Sequence, residues 1–288
     1  MDDVRGEKLN DGLSAATAGQ GPPLVWLPGL GQGADLSEAV PRAEARTIAR
    51  LAAGLNRTVH LIHRPLRPPP EMTIARLATW HATALRERFG EPVDVMGVSG
   101  GGITALQLAL DHPDVVRRLI LCVAAAQVSD EGLHGFTRMV ELEADGRTTD
   151  RIATAWTGSR LIAHGPLRLL LLALFAVSPG PPRAPGEAAL VAAAQTWDVT
   201  GRLAEISMPT LVAGGTRDRV FPAALTRSTA AGVPGARLLL LRGRGHASAM
   251  MDRRLNPAIA AFLAETDPRA APGARTKPGT RDSGAGPG

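Results

Sequence analysis

No tyrosine occurs in this 288-residue chain, cysteine occurs once, and lysine appears only at Lys8 and Lys277, so all but two of the 32 basic residues are arginine. The single thiol, Cys122, lies in the apolar run Leu119-Ile120-Leu121-Cys122-Val123. It can form no intramolecular disulfide, reads as a buried structural residue, and fits a reducing, cytoplasmic setting. Aromatic residues make up only 3% of the chain, and the arginines are scattered among acids. With no stripe of charge and no interleaved rings to stack bases, the net charge of +5 reads as a solvated mixed surface, and no nucleic-acid partner is expected. Long apolar runs are missing too. The strongest, Leu169 to Val177, is nine residues, whereas a membrane span needs roughly 20. The opening Met1-Asp2-Asp3-Val4-Arg5 lacks the basic-then-apolar layout of a signal peptide, so no membrane passage is expected.

What is present is a rhythm. Short apolar runs recur at Leu24-Leu27, Thr58-Ile62, Val93-Val98, Leu119-Ala124, Thr210-Ala213 and Arg237-Leu241. Helical patterns over Glu44-Leu55, Thr73-Phe89 and Ile103-Leu110 lie between them. Strand, turn and helix in alternation predict an α/β fold with a mostly parallel, doubly wound sheet. The rhythm breaks from Val128 to Ser207, where helical patterns follow one another around Gly165-Pro166 and Pro179-Gly180-Pro181-Pro182. The expected organisation is therefore a core over 1–127, an inserted helical cap over 128–207 and the rest of the core over 208–265. From residue 266 to 288 the chain is Pro, Gly, Ala and charge, and it is expected to be a disordered tail.

The central chemical signal is Gly97-Val98-Ser99-Gly100-Gly101, a G-x-S-x-G string placed directly between a strand and a helix. A strand that enters a helix through one tight turn strains its central residue, needs small neighbours, and projects that residue from the carboxyl end of the sheet. Ser99 is the candidate nucleophile. A serine hydroxyl needs a base to take its proton and an acid to hold that base. His246 follows the strand ending at Leu241, and Asp218 follows the strand ending at Ala213, so both are expected at the same sheet edge as Ser99. Each has a plainer reading: Asp218 as a cap for the helix after Phe221-Pro222, His246 as a loop residue beside a glycine. Asp130, after the strand Leu119-Ala124, is a rival for the acid role. For the oxyanion, the backbone amides of Gly100 and of Leu30, in the turn Pro28-Gly29-Leu30-Gly31, are the candidate donors.

Other chemistries fit less well. Gly29, Gly31 and Ala34 have dinucleotide-fingerprint spacing, but helical periodicity resumes only near Ala43 and His63-Arg64 stand where a ribose-binding acid belongs. Ile103 occupies the position of a phosphate-binding lysine, which removes a P-loop. His60 and His63 are an odd number apart on a strand and face opposite sides, while His81 and His112 read as helix-surface or helix-end residues. No metal and no cofactor are expected.

Taken together, these stretches resemble the α/β-hydrolase superfamily over about residues 11 to 265. The resemblance rests on Leu27-Pro28-Gly29-Leu30-Gly31, Gly97-Val98-Ser99-Gly100-Gly101, Asp111-His112-Pro113-Asp114-Val115-Val116-Arg117-Arg118-Leu119, Met208-Pro209-Thr210-Leu211 leading to Asp218, and Gly245-His246. It implies a cofactor-free, esterase-like or lactonase-like serine hydrolase with Ser99, Asp218 and His246 as catalytic residues and a cap closing over the site. Serine at position 99 argues against the carboxylate-nucleophile chemistry of dehalogenase and epoxide-hydrolase relatives. The chain departs from the family pattern in carrying Pro28-Gly29 where many members have His-Gly, and His63-Arg64-Pro65-Leu66-Arg67-Pro68-Pro69-Pro70 where a Gly-x-Ser loop is usual. The cap residues Phe136, Met139, Leu142, Trp156, Leu170, Phe175 and Trp197 suggest a small-molecule ester-like substrate with an apolar group, although cap packing accounts for most of them. Acyl transfer, carbon-carbon bond hydrolysis and perhydrolysis remain compatible with the same residues, non-catalytic ligand binding is an alternative that intact Ser99, Asp218 and His246 argue against, and the oligomeric state is open.

Overall fold

Eight strands form one sheet in the order β1-β2-β4-β3-β5-β6-β7-β8. The structure is a computed structural model that describes residues 4–29, 35–144 and 187–265. The strands are β1 (Arg5–Lys8), β2 (Ser14–Ala18), β3 (Pro23–Leu27), β4 (Thr58–His63), β5 (Val93–Val98), β6 (Val116–Cys122), β7 (Thr210–Gly215) and β8 (Arg237–Leu241). From β4 through β8 every neighbouring pair is parallel, and β1 and β2 join at one edge in antiparallel pairing.

Period-two alternation in the inner strands explains why both faces need cover. Val25, Val95, Leu119, Leu121 and Val212 point to one apolar cluster, and Leu24, Met96, Ile120, Cys122 and Leu211 point to another. A strand apolar on both sides must be sandwiched, which is the condition of a parallel sheet. On the first face lie α2 (Ile74–Phe89) and α3 (Gly100–Asp111); on the second lies α1 (Arg42–Leu55). Continuing along the chain come α4 (Asp130–Ala144), α5 (Glu187–Gln195), α6 (Ala223–Gly232), α7 (His246–Met250) and α8 (Leu255–Ala264), which packs beside α1. The ends of α2 follow from its sequence. The Thr73 hydroxyl accepts the Arg76 amide hydrogen at 3.1 Å, and Gly90 closes the helix at φ 67°.

All six expected strands and all three expected helices form, Val93–Val98 and Arg237–Leu241 with the expected ends and the others with shifted ones. β6 starts at Val116 and stops at Cys122 instead of Ala124, because Val123 adopts φ 47° and turns its amide to the Ala213 carbonyl at 2.7 Å. β1 and β2 have no counterpart among the expected strands. Ser14-Ala15-Ala16-Thr17-Ala18 offers little intrinsic strand preference, and it is held by register with β4, from Ser14 opposite His63 to Ala18 opposite Val59. Between Val128 and Ser207 the described elements are helical, apart from the bridge Gln127–Asp198; residues 145–186 and the expected tail lie outside the described residues. The apolar run Leu169 to Val177 and the cap residues Trp156, Leu170 and Phe175 lie outside them as well. No helix among the described residues is long and apolar enough to cross a membrane.

The amino end of β5 carries Asp94, whose side chain is fully buried. Arg117 reaches it with two hydrogen bonds at 2.8 Å, and Arg57 and Arg118 each approach at 3.2 Å. Arg57 also donates to the Leu263 carbonyl at 2.7 Å, and Arg118 to that of Glu265, so the same cations cover the carbonyl end of α8. Removing the shared carboxylate leaves buried guanidinium groups uncompensated. The expected outcome for Asp94→Ala is a loss of about 3 kcal/mol or more of unfolding free energy, read from urea denaturation.

Candidate active site

Ser99 sits between β5 and α3 at φ 53° and ψ −120°, a conformation that costs a non-glycine residue about 1 to 3 kcal/mol. Backbone bonds hold it there. Its amide donates to the Cys122 carbonyl at 2.9 Å, and its own carbonyl accepts from Gly102 at 2.8 Å and Ile103 at 3.2 Å. The turn also needs room: a Cβ on Gly101 would lie 2.1 Å from the Leu27 carbonyl oxygen, so only glycine lets α3 press against the end of β3. Ser99 is buried but retains 8% of its surface.

His246 opens α7, after the turn that follows β8. Its Nε2 lies 2.9 Å from Ser99 Oγ, and its Nδ1 lies 2.9 Å from Asp218 Oδ2. A carboxylate only accepts, so Nδ1 carries the proton of the neutral imidazole and Nε2 is left to accept from the serine hydroxyl. Asp218 is fixed from its other side, since Oδ1 accepts the amides of Val220 at 2.9 Å and Phe221 at 3.0 Å. Its carboxylate braces the turn ahead of α6, whose cap residue is Pro222, and at the same time faces the imidazole. The loops after β7 and β8 are pressed together, with the Arg217 amide donating to the Arg244 carbonyl at 2.8 Å. A Cβ on Gly215 would meet that carbonyl oxygen at 2.2 Å, so glycine is required for the approach. Phe221, fully buried, stacks on the His246 ring with centroids 5.9 Å apart and planes 26° apart.

Ser99, Asp218 and His246 are therefore brought into one hydrogen-bonded line. Asp130, the rival acid, is exposed at the start of α4. Gly100 is the first residue of α3, next to Ser99, so its amide is at the positive end of that helix. Leu30 lies outside the described residues. The neighbouring Gly29 is close, since a Cβ there would be 3.3 Å from Ser99 Cβ, and its carbonyl accepts from Arg64 Nη1 at 3.1 Å. Burial pushes the Cys122 thiol up to about 12, which removes it as a competing nucleophile.

A family comparison decides what this arrangement belongs to. The alpha/beta hydrolase fold family matches residues 22–251, most of the chain and all three residues of the line. This chain is a member of that family. Among curated relatives, it is 28% identical over 247 residues to a pimeloyl-[acyl-carrier protein] methyl ester esterase of Aeromonas hydrophila, covering 82% of this chain and 92% of that one. It is 29% identical over 214 residues to a probable acyltransferase of Methanothermobacter thermautotrophicus, covering 67% of each. The crystal structure of an enol-lactonase from Burkholderia xenovorans superposes on this α/β hydrolase with a TM-score of 0.66 at 22% identity, covering 89% of this chain and 98% of that one.

One expectation fails. His81, read as a helix-surface or helix-end residue, is 2% exposed on the inner face of α2, where Ile74, Leu77 and His81 share a stripe. The helical period places it inward, and a histidine in an otherwise mixed helix gave no sign of that. His112 does stand at a helix end, as the C-cap of α3. His60 packs edge-on against Phe89 of α2 at 5.1 Å, and His63 turns toward Glu44 of α1 at 3.8 Å, on opposite faces as expected. The supporting contacts of Phe221, of the Val220 and Phe221 amides, and of Arg64 on Gly29 had no pattern in the sequence, because each joins segments through loop conformation.

Burial lowers His81 to about 4, with help from the Arg64 charge, and lowers His60 to about 4, with help from Arg88. Between that value and the ordinary 6.5 the unfolded chain binds more protons at these positions, so stability falls as pH falls. The expected contribution of these two histidines to the unfolding free energy, read from urea denaturation, is flat above pH 6.5 and declines toward pH 4 with a slope of up to about 1.4 kcal/mol per pH unit for each, so the decline is smaller in a His60→Gln, His81→Gln variant.

Proposed function

We propose that this α/β hydrolase cleaves a carboxylic ester or lactone through a covalent acyl-enzyme on Ser99. The observation that carries this reading is the pair of 2.9 Å contacts that join Ser99, His246 and Asp218. His246 Nε2 takes the proton as Ser99 Oγ attacks the carbonyl carbon. The carbonyl oxygen becomes an oxyanion, held by the Gly100 amide at the start of α3 and by a second amide that we assign to Leu30. As the tetrahedral intermediate collapses, the bond to the leaving oxygen breaks and that oxygen takes the proton from His246. A water then attacks the acyl carbon and gives its proton to His246, which returns it to Ser99 Oγ as the acid departs. Asp218 keeps Nδ1 protonated and stabilises the imidazolium formed in each half of the cycle.

Residues 128–207 are proposed to form a cap over this site. α5 supports that reading, since Leu190 and Ala194 face the same pocket as Gly100 and Gly101. Of the aromatic residues suggested for substrate contact, Phe136 is buried in a cluster with Ile103 and Phe221, and Trp197 donates to Gln107 at 2.7 Å, so both serve packing. The ester named for one relative and the lactone named for one structural neighbour agree with this reaction class. Transfer of the acyl group to an alcohol in place of water uses the same first half-reaction, and the relative named as a probable acyltransferase keeps that as a second reading.

The test is hydrolysis of p-nitrophenyl esters by single and double variants. Ser99→Ala or His246→Ala is expected to lower kcat by about 10⁴-fold or more, and Asp218→Asn by about 10³- to 10⁴-fold, with circular dichroism unchanged. Residues acting as one unit are not additive, so Ser99→Ala with His246→Ala costs no more than either alone. Full activity in Ser99→Ala refutes the reading.

A further inference from the structure

Beside Ser99 a pocket opens between α2, α3 and α5. Its walls are apolar, with Leu27, Ile62, Ile74, Leu77, Ile103 and Leu190. Among the described residues its polar side chains are His81, Arg64 and Thr104, and Gly100 and Gly101 make it continuous with the oxyanion side of the nucleophile turn. His81 is 2% exposed, and its Nδ1 has no hydrogen-bond partner among the described residues. Burying a polar nitrogen without a partner costs about 1 to 3 kcal/mol, a cost that phenylalanine or leucine at this place would avoid. His81 lines this recess together with Gly100 and Gly101, so a substrate atom that enters it and reaches the imidazole can supply the missing bond.

Two further observations define what that atom is. Arg64 lies 3.7 Å from Glu187, and both are buried, so its charge is already balanced. An incoming carboxylate would add an uncompensated negative charge, whereas a neutral oxygen would not. The second concerns which half of the substrate enters. A leaving oxygen has to lie within reach of His246 to collect its proton. Among the described residues, none that lines the pocket belongs to the loop of His246 or that of Asp218. The acyl half is the occupant.

We propose that the pocket binds the acyl chain of the substrate and that His81 is a specificity-determining residue, hydrogen-bonding an uncharged oxygen, a ketone or hydroxyl, carried on that chain. This rests on the ester-hydrolase reading above. Because burial and Arg64 hold His81 well below the ordinary histidine value, the imidazole is neutral under working conditions and offers one donor and one acceptor. Chains of the same length without the oxygen fill the apolar walls but leave the nitrogen unpaired.

The experiment compares kcat/KM for p-nitrophenyl esters of a plain straight acyl chain, the same chain with one ketone placed at successive carbons, and the same chain ending in a carboxylate. Wild type is expected to favour one ketone position over the plain chain by about tenfold, a ratio that stays constant from about pH 6 to pH 8. His81→Phe should abolish that preference and His81→Gln should restore part of it, with melting temperatures showing that each variant is folded. Esters hydrolysed with no ketone preference, a preference that survives in His81→Phe, or fastest turnover of the carboxylate-ended chain would each overturn the assignment while leaving ester hydrolysis standing. Wild type that hydrolyses none of the esters takes down the hydrolase reading, and the assignment with it.

Discussion

Because β5, β7 and β8 run parallel, they end along one edge, and the loops that leave them meet there. That constraint lets Ser99 and Asp218, which lie 147 and 28 positions before His246 along the chain, form one line of hydrogen bonds with it. Each contact in the line is directional, so the loops must be held and not merely near one another. The Val220 and Phe221 amides hold the carboxylate, the stacked Phe221 ring backs the imidazole, and the positive φ of Ser99 lifts its hydroxyl from the end of the sheet. The strain at Ser99 persists because bonds to Cys122, Gly102 and Ile103 over-determine its backbone.

The same sheet needs its opposite edge fastened. Asp94 at the amino end of β5 gathers Arg57, Arg117 and Arg118, and two of these arginines also take carbonyls at the end of α8. One charge network thus stands at the amino end of β5, and the helical layers on the two faces close over apolar clusters. Buried polar groups are also found in the pocket region beside the nucleophile turn, where Arg64, His81 and Glu187 lie. A chain with so many arginines can place them in such networks because a planar guanidinium bonds a carboxylate and a carbonyl at once, as Arg57 and Arg118 do.

Much of this was legible before any coordinates. β-Branched and leucine-rich runs marked the inner strands, because both faces of those strands are buried and local pattern and tertiary demand agree. The G-x-S-x-G string was legible in its context, since the glycines and the following helix encode the turn locally. β2 was not legible, as its small residues acquire strand structure only by pairing with β4. The early start of β6 was hidden by Arg117 and Arg118, whose charge is answered by Asp94 from another strand. His81 was misjudged for a related reason: a pattern of residue types does not say whether a polar side chain on an inward stripe is tolerated, and here the pocket tolerates it.

The account stands on an activated hydroxyl at position 99. Treating the full-length protein with a fluorophosphonate and mapping the adduct by peptide mass spectrometry tests it most directly. The account predicts a single adduct on the peptide containing Ser99, formed far more slowly when His246 is replaced by alanine. An adduct on a different serine, or none on the wild-type protein, would contradict it.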